Sequence, residues 1–264
     1  MPDAAILDTI LEYKRTEVAE RRARRPLSEL QAALADAAST RDFLAALQTP
    51  KIGAVTLIAE VKKASPSAGI IRQDFDPVQI ARTYVEAGAS CLSVLTDEKF
   101  FQGHDHYFRA IRAAVTLPMI RKDFVVCEWQ IIESRLLGAD AVLLIAAALS
   151  PSQLDEYQAL ATSLGMSALV EVHTEEEMQS ALDINAGLVG INSRNLKTFV
   201  TDLGTVQRLA AVVPSHVTLV AESGLKTPAD VRRVAADGAK AILVGESLLR
   251  SEDIGAAVRE LMGS

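Results

Sequence analysis

Eight short runs rich in Val, Ile and Leu recur between residues 56 and 244, and stretches with helical periodicity separate them. Near-continuous apolar runs are typical of parallel strands that are covered on both faces, with helices as the crossovers. The sequence therefore predicts eight parallel strands in an α/β protein. Their predicted bounds are Thr56–Lys62, Cys91–Leu95, Met119–Lys122, Ala141–Ile145, Ala168–Val172, Leu188–Asn192, Thr218–Ser223 and Ala241–Val244.

Two architectures compete for such a pattern, a closed (β/α)₈ TIM barrel and a doubly wound open sheet. Eight strand–helix units in about 210 residues match the barrel, for which ~250 residues are typical. An open sheet would usually carry a glycine-rich dinucleotide-binding turn after its first strand, and residues 62–69 are not such a turn. We expect one domain over residues 1–264: a barrel from about residue 55, with a helical extension over residues 1–50 packed on it.

The segment before the first strand predicts helices. Residues 3–24 contain no Gly or Pro and place Ile6, Ile10, Tyr13 and Val18 on one stripe, which indicates an amphipathic helix. Pro26 ends it, and two shorter helical patterns follow, the second capped within residues 39–42. After the first strand, residues 64–76 form the longest strand-to-helix connection, which we interpret as a lid.

The charge balance limits the classes of partner. With 34 Asp+Glu against 27 Lys+Arg, the net charge is −7, so no basic face for nucleic acid is implied. No run approaches the ~18 apolar residues of a membrane helix, and no secretory signal pattern is present. Cys91 and Cys127 are interpreted as reduced, packed residues. We expect a cytoplasmic protein, a monomer rather than an oligomer, with a small-molecule substrate.

Glu60 and Lys62 stand at the end of the first predicted strand. Side chains alternate along a strand, so these two point to the same face and form a pair. Burying two charges costs several kcal/mol unless they are well paired. A chain selected only for stability would use apolar residues here, so one interpretation is a functional role. The alternative is an ion pair that only fixes the register of the strand.

Polar residues recur at the ends of the other strands. In a barrel these ends converge on one mouth, where such enzymes place their chemistry. Several charged groups at the same end of five strands are hard to explain by packing alone, and this predicts an active site. The residues concerned are Glu60, Lys62, Lys122, Glu171, Asn192, Arg194, Glu222 and Ser223.

Glycines close the last two strands. Gly224 and Gly245 leave the backbone bare, so that N–H groups can approach an anion beside the start of a helix. Two such turns in consecutive units predict a phosphate site, although either glycine alone would be an ordinary turn.

No metal centre is predicted. His104 and His106 lie in a loop rather than at the end of a strand and lack a third ligand of suitable spacing, so a surface loop or a helix start is the better interpretation. His173 and His216 give no stronger signal. Trp129 falls in a helical pattern, where packing is the default.

The chain resembles the indole-3-glycerol phosphate synthase family over nearly its whole length. The stretches that carry the resemblance are residues 58–67 (IAEVKKASPS), 93–96 (SVLT), 100–103 (FFQG), 121–124 (RKDF), 171–173 (EVH), 190–196 (GINSRNL) and 222–224 (ESG). The resemblance implies conversion of 1-(2-carboxyphenylamino)-1-deoxy-D-ribulose 5-phosphate to indole-3-glycerol phosphate, with loss of CO₂ and water. It also implies that no metal or organic cofactor takes part.

The resemblance assigns roles residue by residue. Lys122 would protonate the ketone oxygen during ring closure, and Glu171 would act as the base. Lys62, paired with Glu60, would bind the substrate carboxylate, and which lysine serves the dehydration stays open. The remaining implied contacts are Asn192 and Glu222 for orientation, Ser65, Gly224 and Gly245 for phosphate, Phe101, Phe124, Leu143 and Leu196 for the aromatic ring, and Arg194, Ser223 and Glu246 around them. Some relatives carry Ser where this chain has Glu246. An acid beside a phosphate must turn its side chain away, so this one contact differs from the family pattern.

Two alternatives remain at this point. Phosphoribosylanthranilate isomerase shares the barrel and the phosphate turns, but its chemistry needs a Cys/Asp acid–base pair that this set does not supply. A non-catalytic barrel that binds a sugar phosphate as a subunit of a larger complex would have no reason to keep two lysines facing carboxylates.

Overall fold

All eight predicted strands form, each within one residue of its predicted bounds. The structure is a computed structural model that describes residues 5–195 and 200–263. The strands are β1 (Thr56–Val61), β2 (Cys91–Leu95), β3 (Met119–Lys122), β4 (Ala141–Ile145), β5 (Ser167–Val172), β6 (Leu188–Asn192), β7 (Thr218–Glu222) and β8 (Ala241–Val244).

The strands close into a parallel barrel. Each strand pairs with its neighbours in sequence, and β1 also pairs with β8, with Thr56 opposite Ala241. On its other edge β1 pairs with β2, with Glu60 opposite Ser93. The predicted (β/α)₈ TIM barrel is confirmed.

Helices cover the outside of the barrel and precede it. They are α1 (Ala5–Arg24), α2 (Leu27–Ala33), α3 (Phe43–Ala46), α4 (Pro77–Glu86), α5 (Glu98–Phe101), α6 (Asp105–Ala114), α7 (Glu128–Leu137), α8 (Pro151–Ser163), α9 (Glu175–Asp183), α10 (Gly204–Ala210), α11 (Pro228–Ala236), α12 (Glu246–Leu249) and α13 (Ile254–Met262). Two 3₁₀ turns span Leu34–Asp36 and Ala146–Ala148. Within the described residues, no helix is long and apolar enough to cross a membrane.

The expected helix starts form at two places, Asp42 and His104. The Asp42 carboxylate accepts from the backbone N–H of Ala45 and caps α3. His104 precedes α6, where its ring accepts from the backbone N–H of His106. The predicted lid connection contains a short antiparallel pair, Ala64–Ser65 with Gly69–Ile70, and its motion stays a prediction.

The inside of the barrel changes from apolar to polar along the strands. Ile58, Ile120, Leu169 and Val220 belong to one buried apolar cluster, which also contains Phe43 of α3 and Leu47 directly after it. Because side chains alternate, the residue two positions further on faces the same interior. Those next residues are Glu60 in β1, Lys122 in β3, Glu171 in β5 and Glu222 in β7. The sequence alternation thus delivers four charged side chains to one end of the barrel.

Trp129 packs as predicted. Its side chain is almost fully buried beside Val18, Leu30 and Ile132, and its Nε1–H donates to the carbonyl of Arg25 at 3.0 Å. This cluster fastens α1 and α2 to the outside of the barrel. Whether the whole chain unfolds as one domain stays a prediction.

Candidate active site

The strand ends surround a cavity of about 860 Å³ at the carboxyl end of the barrel. Every candidate site residue that the structure describes lies in its wall; Leu196 falls outside the described residues. The lining candidates are Glu60, Lys62, Ser65, Phe101, Lys122, Phe124, Leu143, Glu171, Asn192, Arg194, Glu222, Ser223, Gly224, Gly245 and Glu246. Their convergence is a fact of geometry, whereas their individual roles stay predictions.

Lys122 bridges two buried carboxylates. Its Nζ lies 2.8 Å from Oε2 of Glu171 and 2.9 Å from Oε2 of Glu222. Both glutamate side chains are at most 4% exposed, and Lys122 is 13% exposed. Burial alone would lower the pKa of Lys122, but the two carboxylates raise it, so the amine is held as an ammonium.

The two glutamates differ in protonation. Burial, the charge of Glu171 and that of Glu60 raise the pKa of Glu222 to about 7, against the lowering effect of Lys122. Burial acts on Glu171 too, but Lys122 and His173 lower its pKa to about 2. The Lys122 ammonium is therefore shared between the Glu171 carboxylate and Glu222, which is half protonated near neutral pH.

The surroundings of Glu222 explain why it takes the proton. Its Oε1 is buried and has no hydrogen-bond partner among the described residues. A Cβ at position 190 would overlap this oxygen, so Gly190 makes the room that Glu222 occupies. An ionised oxygen without a partner is costly in an apolar interior, which favours the protonated acid.

Glu171 is held from three sides. Asn192 donates its amide Nδ2–H to Oε1 at 3.3 Å, and its Oδ1 accepts from the backbone N–H of Arg194 at 3.0 Å. Lys122 occupies Oε2, and Nε2 of His173 lies 3.5 Å from Oε1. Sequence reasoning missed His173; its position two residues after Glu171 was the available signal.

Glu60 and Lys62 form the pair that strand alternation predicts. Lys62 Nζ lies 2.5 Å from Glu60 Oε1. The Ser93 hydroxyl donates to the other oxygen of Glu60 at 3.3 Å. Lys62 is 15% exposed at the mouth, so its ammonium borders the cavity while Glu60 stays buried beneath it.

In the turns after β7 and β8, neighbouring side chains leave no room for a Cβ on the glycines. Ser223 and Gly224 both have left-handed backbones, at φ 67° and 78°, and a Cβ at position 224 would overlap Thr201. A Cβ on Gly245 would lie 2.8 Å from that of Glu60. A non-glycine residue held with positive φ is a strained conformation of the kind that clusters at functional sites.

Glu246 pairs with two arginines in the cavity wall. Its Oε2 lies 3.4 Å from Nη2 of Arg194, and its Oε1 lies 3.1 Å from Nη2 of Arg250. Arg194 also donates to the hydroxyl of Ser67 at 3.0 Å, which joins the β1 connection to the turn after β6. The acid is thereby neutralised by two guanidinium groups.

Aromatic and aliphatic side chains form the opposite wall. The rings of Phe101 and Phe124 lie 5.9 Å apart, and Leu143 completes the wall from inside the barrel. Two residues of the predicted α1 stripe, Ile6 and Ile10, also line the cavity. The N-terminal helix therefore contributes directly to the mouth.

A buried lysine anchors α1 beneath this mouth. Lys14 is 1% exposed, and its Nζ lies 2.9 Å from Asp97 Oδ2 and 3.0 Å from Asp123 Oδ1. Burial opposes ionisation of Asp123, but Lys14 and Arg121 lower its pKa to about 2. Because Asp123 directly follows Lys122, this ion pair fixes the backbone that carries the central lysine. Helical periodicity places Lys14 on the same face as Ile10 and Val18, but a pattern of apolar residues passes over a lysine.

Replacing Lys14 with Met should lower the free energy of unfolding by about 3–5 kcal/mol, because Asp97 and Asp123 would lose a buried counter-charge. Thermal and urea unfolding measure the change. Arg15→Met is the matched control, since Arg15 is exposed on the same helix, and it should shift stability by less than about 0.5 kcal/mol. Equal stability of the two variants would contradict an anchoring role for Lys14.

No group of three or more His, Cys, Asp or Glu residues in 5–195 and 200–263 is arranged to hold a metal ion. Both cysteines are free, and Cys91 is buried, as the sequence indicates.

Comparison with known proteins gives a consistent pattern. A family profile described as indole-3-glycerol phosphate synthase matches residues 7–261. A protein of that name from Rhodospirillum rubrum is 51% identical over 260 residues, covering 98% of this chain and 99% of the relative. One from Azospirillum brasilense is 52% identical over 258 residues, covering 97% and 98%. A solved 3-hexulose-6-phosphate synthase is similar in fold alone: the TM-score is 0.63 at 15% identity, covering 79% of this chain and 99% of that one.

Proposed function

Because the chain belongs to the indole-3-glycerol phosphate synthase family, we propose that its cavity binds 1-(2-carboxyphenylamino)-1-deoxy-D-ribulose 5-phosphate and closes the indole ring there. The protein is a carboxy-lyase of tryptophan biosynthesis, and its product is indole-3-glycerol phosphate. The observation that carries the proposal is the Lys122 ammonium, held between two buried carboxylates that differ in protonation.

Ring closure needs an acid at the ketone. The aromatic carbon that bears the carboxylate attacks the ketone carbon, the carbonyl electrons move to oxygen, and Lys122 gives that oxygen a proton. An ammonium with a raised pKa is a weak donor by itself. Glu222 offsets this, because as a carboxylic acid it returns a proton to Lys122 through their 2.9 Å hydrogen bond. This gives Glu222 a part in proton transfer as well as in orientation.

Glu171 accepts a proton later in the reaction. Loss of CO₂ leaves the bonding electrons in the ring and restores its aromaticity. The new hydroxyl then departs as water, and the adjacent carbon loses a proton to a base. Glu171 is ionised, as a base must be, and its basicity rises whenever Lys122 has given up its charge. Two carboxylates whose environments push their pKa values apart are the usual basis for separate acid and base roles.

The carboxylate, the phosphate and the aromatic ring of the substrate each match a different part of the cavity wall. Lys62, supported by Glu60, binds the carboxylate that will leave, and one of the two lysines protonates the departing hydroxyl. The turn at Ser223–Gly224, where Ser223 has a positive φ, and the turn at Gly245 hold the phosphate together with Ser65. Phe101, Phe124 and Leu143, with Leu196, take the aromatic ring.

The experiment that tests this function is direct. Purified protein is mixed with the carboxyphenylamino substrate, and indole fluorescence and released CO₂ are followed together. Equal amounts of indole product and CO₂ are expected. A protein that binds the substrate but releases neither would be a sugar-phosphate binding barrel, and the proposal would be wrong.

Dialysis against EDTA should leave the rate of turnover unchanged, because rearomatisation drives the loss of CO₂ and the lysines supply the charges. The rate is measured before dialysis, after dialysis and after adding back Mg²⁺ or Zn²⁺. Activity that disappears and returns with a divalent ion would overturn the expectation of a reaction without a metal.

Three expectations accompany the function as proposals. The enzyme works as a monomer in the cytoplasm, without nucleic-acid or membrane partners. The extension over residues 1–50 and the barrel from about residue 55 unfold together as one domain, since Lys14 and the Trp129 cluster join them. Sedimentation tests whether the protein is a monomer, and a single unfolding transition tests whether the extension and the barrel form one domain.

A further inference from the structure

His173 lies between two carboxylates behind the reacting centre. It follows β5, and its side chain is 12% exposed. Its Nδ1 lies 3.2 Å from Oε2 of Glu177, in the first turn of α9, and its Nε2 lies 3.5 Å from Oε1 of Glu171. Glu177 Oε2 also accepts the backbone N–H of His173 at 2.7 Å, so the ring and the carboxylate are fixed to each other.

The geometry selects one protonation state of the ring. A neutral imidazole has one N–H donor and one bare nitrogen, so one of its nitrogens would turn a lone pair towards a carboxylate. Only the imidazolium presents a proton to both sides. Nε2 is buried and makes no hydrogen bond within the part of the chain that the structure describes, so Glu171 is the acceptor that it faces.

The other charges near His173 support the same state. Burial alone would lower the pKa of His173, but the hydrogen bond to Glu177 and the charges of Glu171, Glu177 and Glu222 raise it. Across a small outer cavity lie Glu175, Glu176 and Arg208, and Arg208 is exposed and paired with Asp202. Lys122, the cation on the far side of Glu171, is itself paired with Glu171 and Glu222. Carboxylates therefore dominate around the ring.

We infer that His173, held as an imidazolium by Glu177, is a positioning residue that keeps Glu171 ionised and leaves the proton of the carboxylate pair on Glu222. With this second cation, Glu171 stays a carboxylate although it shares Lys122 with Glu222. The inference deepens the proposed function and rests on it for its catalytic consequence. The claim that His173 is an imidazolium does not depend on the proposed function.

The first test reads the charge of the ring without any substrate. The chain has four histidines, and ¹⁵N NMR of the histidine side chains in the whole protein, with His173→Gln for assignment, follows each one against pH. We expect His173 to stay protonated well above pH 6.5, the ordinary midpoint being about 6.5. In Glu177→Gln, which keeps an acceptor for the backbone N–H, the midpoint should fall by at least about one pH unit. Ordinary titration in both proteins would overturn the inference, whether or not the protein turns over substrate.

The second test reads the consequence for catalysis. His173→Gln keeps a hydrogen-bond donor near Glu171 but removes the charge, so kcat should fall about tenfold with KM within twofold. Without the cation the carboxylate pair holds its proton more tightly, so the alkaline limb of the pH–rate profile should move to higher pH. His216→Gln, at an exposed histidine, is the matched control and should change neither kcat nor the pH profile.

An unmoved profile in His173→Gln would leave His173 only a structural role and overturn the inference. An inactive wild-type protein would instead refute the proposed function, and the NMR titration would still decide the electrostatic claim.

Discussion

Lys122→Ala should lower kcat by about 10²–10⁴-fold while the protein stays folded and still binds phosphate-bearing product. Lys122 is the group placed to protonate the ketone oxygen, and general acids contribute about that factor. Its removal also takes away the ammonium that Glu171 and Glu222 share, so the pair holds its proton more tightly. Steady-state kinetics give kcat, and calorimetric titration with indole-3-glycerol phosphate gives product affinity.

The matched control for this variant is Lys240→Ala. Lys240 is exposed just before β8, at the opposite end of the barrel from the cavity, so its loss should leave kcat unchanged within twofold. If Lys122→Ala keeps the wild-type kcat, Lys122 has no part in the chemistry. If it loses product binding and its fold together, its role is structural.

Glu171→Gln should separate binding from chemistry. Glutamine keeps the size of the side chain and one oxygen that can accept from Lys122 or from Asn192, but it cannot take a proton near neutral pH. A role as base therefore predicts a large fall in kcat, on the order of 10²-fold or more, with little change in KM. Single-turnover rates and the thermal midpoint are measured on the same preparation.

The opposite result has a distinct signature. If Glu171 only balances the charge of Lys122, the neutral amide leaves a buried ammonium with weaker compensation and lowers stability by as much as ~3–5 kcal/mol. A much lower thermal midpoint with near-normal turnover in the folded fraction would then show that Glu171 is not the base.

The sequence predicted the barrel and the mouth well, for one physical reason. Strand side chains alternate, and parallel strands end together, so Glu60, Lys122, Glu171 and Glu222 must meet if the strands are assigned correctly. Every strand boundary was correct within one residue because long apolar runs end at clear turn signals. The pairing of Glu60 with Lys62 followed from the same alternation.

Other parts of the site depend on packing that no local pattern encodes. Lys14 meets Asp97 and Asp123 only after α1 has packed beside the mouth. Periodicity places it on the same face as Ile10 and Val18, but its acidic partners lie far away in sequence. His173 drew no attention because its partner Glu177 lies on α9, across the turn from β5. The different protonation of Glu171 and Glu222 arises from His173 and Asn192 beside Glu171 and from the unpartnered oxygen of Glu222, and a list of strand ends contains none of these contacts.

The pH dependence of kcat/KM in wild type and in Glu222→Gln tests the central claim, that Lys122 and its two carboxylates perform the proton transfers. Glu222, with a pKa raised to about 7, supplies a proton only while it is a carboxylic acid. Wild-type activity should therefore be full below pH 7 and fall as the pH rises through 7, whereas Glu171, with a pKa of about 2, adds no acid limb near neutrality. Glu260→Gln, at an exposed position on α13, serves as the control and should keep the wild-type profile. The account predicts that Glu222→Gln is slower and loses the limb near pH 7; the same limb at the same midpoint in Glu222→Gln would contradict it.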